Sequence, residues 1–332
     1  MQKFIAITIL LASLAVGWFW MDYQNFLKTP LKLSQESQLL QVKKGVNLKK
    51  LARELVEKGW LDNANYLYWH ARLEKKAHLI RAGEYAIQKN TTPTMLLGQL
   101  IAGKTVSYQL TLLEGWNFNQ VLAAVNNNKV LVHQLEGVKA EAVMERLGFG
   151  DIHPEGRFFP ETYAFPRGTT DIEFLQRAYR KMQSELAASW EKRDKESNLI
   201  KTPYEALTLA SIIEKETGLI GERRQISGVF TRRLSKGMKL QTDPTVIYGM
   251  GKRYQGNIRR KDLREDTPYN TYVHKGLPPT PICMPGRAAI DAALHPLSGK
   301  SLYFVASGNG GHVFSNTLKA HNAAVRKYIL KK

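Results

Sequence analysis

The stretch Thr202-Pro-Tyr-Glu-Ala-Leu-Thr-Leu-Ala-Ser-Ile-Ile-Glu-Lys-Glu-Thr-Gly218 reads as a helix with both ends marked. Thr202 is a suitable N-cap, Pro203 suits the first turn, and Glu205 completes a capping box. Gly218 suits the left-handed position that closes a helix. Successive residues turn by about 100°. Leu209, Ile212 and Ile213 therefore share a face, and Glu216 falls among them. Glu214 lies at the edge of this apolar arc, while Thr208, Ser211 and Lys215 make a polar face. The pattern surrounds one carboxyl group with apolar neighbours. Desolvation raises a carboxyl pKa, and a carboxyl still protonated near neutral pH can act as a general acid. The plainer reading is a salt-bridged surface glutamate, with Lys215 and Arg223 nearby.

At 332 residues and 43% hydrophobic content, the chain is long enough for a membrane segment and two domains with real cores. Its net charge of +19 is spread along the sequence and predicts an anionic partner: nucleic acid, phospholipid headgroups or an acidic polymer. A single cysteine, Cys283, excludes an intramolecular disulfide and any multi-cysteine zinc site.

The uncharged run Phe4–Met21 just reaches the length that spans a bilayer, about 20 residues. Trp18, Trp20 and Tyr23 suit the far interface. Ser13-Leu-Ala15 offers a signal-peptide cleavage site, but the apolar run continues beyond it, which favours an uncleaved anchor. No cysteine follows to carry a lipid. Lys3 argues for an N-terminus inside and the bulk of the chain outside, although Lys28 and Lys32 lie beyond the span. An outside location turns the anionic partner away from nucleic acid and towards cell wall and headgroups. Residues 22–38, polar and broken by Pro30, read as a tether.

A weak repeat of strand, turn and helix follows, with turns at Gly45, Asn90 and Gly115. Between its first two units lies an aromatic helix with Tyr66, Tyr68 and Trp69. This small α+β module is either a spacer or a glycan binder that uses exposed aromatics. Pro154–Pro166 is too rich in proline and aromatics for a long helix and is suited to lining a sugar groove. Thr170 and Glu173 form another capping box ahead of a helix with core spacing. Lys192–Asn198 reads as a charged connection, and Arg223–Lys236 as a helix. Asp243-Pro244 is a helix-start signal, so Asp243 is read as either a cap or a groove residue. Asp266–Tyr272 and Gly276–Gly286 are long, turn-rich loops of the kind that carry function. Ala288–Leu294 reads as a short helix, Tyr303–Phe314 as a β-hairpin and Leu318–Leu330 as a final amphipathic helix.

Histidines are scattered without HExxH spacing, and no nucleophile elbow, Walker or Rossmann pattern is present. One well-placed glutamate and aromatic-rich loops remain. The stretches Pro160–Tyr163, Leu209–Thr217, Leu240–Gly249, Tyr269–Tyr272, Gly276–Pro279, Gly311–Phe314 and His321-Asn322 closely resemble the YceG-like family of endolytic murein transglycosylases, bacterial inner-membrane proteins. The sequence departs from that pattern at Thr280 and Met284, which bears on local loop shape.

The resemblance implies an α+β protein: a cytoplasmic tip (1–3), a transmembrane anchor (4–21), a tether (22–38), a LysM-like module (39–135) and a mixed α/β catalytic domain (136–332) in the periplasm, ending in the hairpin and helix. It implies a lyase that cuts peptidoglycan glycan strands internally, without a cofactor, with Glu216 catalytic. The acid would protonate the oxygen linking N-acetylmuramic acid to N-acetylglucosamine, then take a proton from the sugar's own C6 hydroxyl to leave a 1,6-anhydro end. Gln241, Asp243, Tyr248, Asn270, Tyr272, Glu161 and Tyr163 are the expected substrate-binding residues. Glu155 or Glu161 as a second carboxylate would make the protein a muramidase-type hydrolase. A membrane-tethered wall-binding scaffold is the non-enzymatic alternative. Glycan-synthesising enzymes are the implied partners.

Overall fold

The structure, a computed structural model, describes residues 1–43, 45–150, 152–194 and 199–330. Lys195–Asn198 of the charged connection therefore lie outside the described residues. The chain forms two units, Met1–Tyr108 with Ala164–Gly168, and Gln109–Tyr163 with Thr169–Lys332.

The first unit holds α1 (Gln2–Lys28), β1 (Ser37–Val42), α2 (Leu48–Glu57), α3 (Ala64–Leu73), β2 (Gly83–Gln88) and α4 (Pro93–Ala102). β1 and β2 pair antiparallel, with Leu40 opposite Tyr85. The period-two alternation turns Leu40, Val42, Tyr85 and Ile87 into a core completed by Leu48, Leu51 and Leu55 of α2, Leu67 of α3 and Leu96 and Leu100 of α4. Asn47, Asn63 and Thr92 cap these helices through their side chains. Glu84 is buried, but Arg167 Nε (2.9 Å) and the Tyr108 hydroxyl donate to it, so its charge is matched.

The tether expected at residues 22–38 is not one. Helix α1 continues to Lys28, and Leu31 and Leu33 are buried in the core of the first unit. Tyr23 and Phe26, three residues apart, both set their rings against Tyr66 of α3. Tyr66 donates its hydroxyl to Asp22 (2.8 Å), and the Tyr23 hydroxyl meets His70 Nδ1 at 3.0 Å. Tyr66 is therefore covered and unavailable as a glycan platform, whereas Trp69 remains half exposed.

Strands β3 (Ser107–Thr111) and β4 (Thr162–Pro166) carry the chain across the unit boundaries. The boundary thus falls at 108/109, well before the expected 135/136. The reason is α5 (Phe118–Asn126): Phe118 stacks on Phe158 at 5.3 Å and donates its N–H to Glu155, which commits this helix to the second unit. The third strand–turn–helix unit of the sequence therefore does not belong with the first two.

The second unit continues with α6 (Ala140–Arg146), α7 (Asp171–Glu191), α8 (Pro203–Glu216), α9 (Ile220–Ser235), α10 (Asp243–Met250), α11 (Arg287–Leu294), the hairpin β5 (Tyr303–Ala306) and β6 (His312–Ser315), and α12 (Leu318–Tyr328). Both expected capping boxes form, Thr170 with Glu173 and Thr202 with Glu205. Helices α7, α9, α10 and α11 all pack on α8, and Ala206–Ile213 are buried without exception. The polar face read from Thr208 and Ser211 is thus interior. Each hydroxyl bonds back to its own helix, Thr208 to Tyr204 O (2.9 Å) and Ser211 to Thr208 O (2.7 Å). Ser211 Oγ also accepts from Ile282 N at 3.0 Å. Short hydroxyls and alanines let α11 approach closely with Ala289, Ala292 and Ala293. The closing glycine also differs from expectation: α8 stops at Glu216, Thr217 is extended (φ −147°), and Gly218 is not left-handed. Thr217 Oγ1 accepts from Leu219 N at 3.0 Å, which turns the chain without a glycine.

Gly228 in α9 lies directly under the 297 carbonyl; a Cβ there would come within 2.2 Å of Leu297 O. Gly228→Ala is expected to destabilise the protein by about 1–3 kcal/mol through overpacking against backbone. Thermal unfolding of the detergent-solubilised chain checks this, with exposed Gly221→Ala as the comparison.

Candidate active site

Glu216 is the last residue of α8, a half-buried carboxyl beside the first turn of α10. The Thr242 hydroxyl donates to Glu216 Oε1. Thr242 holds the N-cap position of α10, yet its side chain makes no capping bond, because the hydroxyl is turned to Glu216. Burial pushes the Glu216 carboxyl up to about 7; the Thr242 hydrogen bond opposes this, and the neighbouring Asp243 charge reinforces it. A position at a helix C-terminus, where carbonyl dipoles converge, also disfavours a negative charge.

The turn before α10 is tightly determined. Gln241 has a positive φ of 52°, a conformation that costs a non-glycine residue free energy. Its N–H donates to Thr271 O (3.2 Å), and Thr242 N donates to Thr271 Oγ1 (3.1 Å). Thr245 Oγ1 meets Thr271 Oγ1 at 2.9 Å. From α9, buried Arg233 donates to Leu240 O (2.8 Å) and reaches Gln241 Oε1 (3.5 Å). The side chain of Gln241 is left exposed beside the Glu216 carboxyl's partner.

Asp243 is not the cap of α10 but its first residue, and it accepts from the Tyr272 hydroxyl at 2.6 Å. Burial and this bond to Asp243 raise the Tyr272 phenol, which stays a donor. Glu216, Gln241, Asp243 and Tyr272 are thus brought together, with Thr242 as their link. Asn270 is buried and committed elsewhere: its amide donates to Glu265 O (2.8 Å) and Asp262 O (3.2 Å) while its Oδ1 accepts from Tyr272 N (2.9 Å). It orders the loop that carries Tyr272 and is not placed to meet a ligand. Tyr163 is also interior, with its hydroxyl on Phe159 O (2.7 Å). Glu161 is exposed, and its carbonyl accepts from Leu112 N (3.0 Å). Among the described residues, no hydrogen bond joins Glu161 or Tyr163 to Glu216.

Tyr248 lies at the other end of α10 and donates to Glu155 at 2.9 Å. Glu155 is buried and accepts Phe118 N with both oxygens (3.1 and 3.2 Å). Burial pushes this carboxyl up to about 7 against the Phe118 and Tyr248 hydrogen bonds. Phe118, His153, Glu155 and Tyr248 line a cavity of about 420 Å³. Positions 242 and 248 of one helix are about 9 Å apart along its axis, so α10 sets the spacing of the groups that hold the two carboxyls.

Glu214 faces the other way. It accepts from Arg223 (2.7 Å) and Gly286 N (2.9 Å), a paired and structural carboxylate. His312 is held through Nδ1 by Glu222 at 2.8 Å, and its charge acts on Glu216. Thr280 and Met284, where the sequence departs from the family pattern, are both absorbed: Thr280 Oγ1 meets the Tyr269 hydroxyl at 2.9 Å, and Met284 is fully buried with its N–H on Trp116 O (2.7 Å). Among the described residues, no group of three or more His, Cys, Asp or Glu side chains is placed to hold a metal ion. Thr242 and Thr271 were missed by reading residue types, since a threonine at a helix start looks like an ordinary cap and one in a turn-rich loop like an ordinary turn residue. Arg233 was missed as one of many arginines.

The YceG-like family model matches residues 40–327, and the chain belongs to that family. It is 31% identical over 336 residues to an endolytic murein transglycosylase of Bacillus subtilis, covering 96% of this chain and 92% of the relative. It is 27% identical over 365 residues to an endolytic murein transglycosylase of Streptococcus pneumoniae, covering 99% of this chain and 65% of that protein. The crystal structure of a yceG-like protein from Listeria monocytogenes superposes with a TM-score of 0.55 at 30% identity, over 87% of this chain and 99% of that one.

Thr242→Val removes the donor that favours the ionised form of Glu216. The carboxyl pKa is expected to rise further, by on the order of one unit, read by NMR titration of labelled glutamate. For Glu155 the folded pKa of about 7 lies above the ordinary 4.5, so the folded protein keeps a proton that the unfolded chain releases. Stability contributed by that proton is lost as pH rises from about 4.5 to about 7. Glu155→Gln is expected to flatten part of this decline in unfolding temperature measured against pH.

Proposed function

We propose that this protein is an endolytic peptidoglycan lytic transglycosylase with Glu216 as its acid and then its base. The observation that carries the reading is the Glu216 carboxyl, its proton affinity raised by burial to about 7 and its direction set by the Thr242 hydroxyl at the end of a buried helix. The names of the relatives support the reaction class. Protonated Glu216 gives its proton to the glycosidic oxygen between N-acetylmuramic acid and N-acetylglucosamine. Asp243, oriented by Tyr272, offers negative charge to the oxocarbenium-like centre. The Glu216 carboxylate then removes the C6 hydroxyl proton, and that oxygen closes on C1. One residue suffices for both steps because the nucleophile belongs to the substrate. Exposed Gln241 and Tyr248 in its cavity are the proposed sugar contacts.

In the same reading α1 is a single-pass inner-membrane anchor with a cytoplasmic N-terminus and the rest of the chain periplasmic, supported by its length and apolarity. Cutting beside the membrane would end elongation of new strands, with glycan-synthesising enzymes as partners. Asp243 beside Glu216 keeps one alternative open to measurement, a hydrolase in which Asp243 activates water.

Mass spectrometry of peptidoglycan digested by the full chain tests all of this. Wild type is expected to leave internal fragments with 1,6-anhydro ends, and Glu216→Gln to lose activity by about 100-fold or more. Reducing ends would mean that water is the nucleophile, and equal cleavage by both proteins would remove Glu216 from the mechanism. Because the acid form is required, the rate is expected to fall as pH rises through about 7.

A further inference from the structure

We infer that the C-terminal half of α3 and the turn after it rest in the bilayer interface at the point where α1 leaves the membrane, a second membrane contact that rests on reading α1 as a span. The apolar run of α1 ends at Met21. Phe19, inside that run, sets its ring 5.6 Å from Tyr66 and 6.3 Å from Trp69. Trp69 therefore sits at the depth of the last apolar turn of the span. The placement is fixed by the Asp22–Tyr66 and Tyr23–His70 hydrogen bonds.

The surface at that depth has interfacial chemistry. Trp69 is 45% exposed and Leu73, four residues on and on the same face, is 75% exposed. Leu79 beyond the turn is 45% exposed. Exposed Arg72, Lys75 and Lys76 stand among them. Lys75 takes a positive φ of 57°, which breaks α3 and folds the following residues back. Exposed apolar side chains flanked by cations, with a tryptophan at the boundary, match anionic headgroups over acyl chains. The ring contact with the span, rather than the aromatic composition, selects lipid over glycan as the occupant.

The test uses the full chain in vesicles of phosphatidylglycerol and phosphatidylethanolamine, with nitroxide labels at Leu73→Cys, Val16→Cys and Glu36→Cys. Native Cys283 is fully buried and does not compete for label. Leu73 and Glu36 are exposed, so neither change disturbs packing. Collisional access to oxygen over a water-soluble nickel chelate is expected to be several-fold higher at Leu73 than at Glu36, and higher again at Val16. A Leu73 ratio equal to that of Glu36, with Val16 in lipid, overturns the contact while leaving the span intact. A water-like ratio at Val16 removes the span and the contact with it.

Discussion

A carboxyl group that must stay close to apolar surface and yet remain reachable is the constraint on which the second unit is built. Helix α8 is covered by four other helices, so the side chains of Ala206–Ile213 have no freedom to escape to water. Its last residue emerges at the edge of that packing. The carboxyl is therefore desolvated on the protein side and open on the other. A surface helix would let the same glutamate turn outward and ionise. Burial raises its proton affinity, and one hydroxyl from the neighbouring helix holds its direction. The two effects oppose each other on pKa but not on geometry, and burial is the larger.

That hydroxyl is available because a cheaper interaction was given up. An N-cap threonine ordinarily bonds to its own helix, and losing such a cap costs about 1 kcal/mol. Here Thr242 leaves that bond unmade. The left-handed Gln241 adds strain just before it. Arg233 and Thr271 grip the backbone on both sides of this turn and over-determine it. A strained residue and an unmade cap, side by side and next to one carboxyl, are more than simple packing requires.

Much of this was legible in the sequence. Capping boxes at Thr170 and Thr202 fix helix starts by local chemistry, and both appear as read. Glu216 separates from Glu214 by helical phase alone, and the structure gives them different surroundings. What was not legible depends on partners distant in sequence. Ser211 and Thr208 look polar by type, but become interior once α11 supplies small residues opposite. Asn270 looks like a hydrogen-bonding group for sugar until the carbonyls of Asp262 and Glu265 claim it. Residues 22–38 are polar enough to suggest a tether; Tyr66 and the core that takes in Leu31 and Leu33, both far along the chain, show why they are folded.

The continuity of α1 into the first unit has a mechanical meaning. A flexible linker gives a domain a cloud of positions whose spread grows with the square root of its length. A helix pinned by Tyr23, Phe26 and two hydrogen bonds gives it one. On the proposed reading of α1 as a membrane span, the unit is a post of set height, able to travel in the plane of the bilayer but not to lean away from it. Anything its surface meets is filtered by altitude before it is filtered by shape.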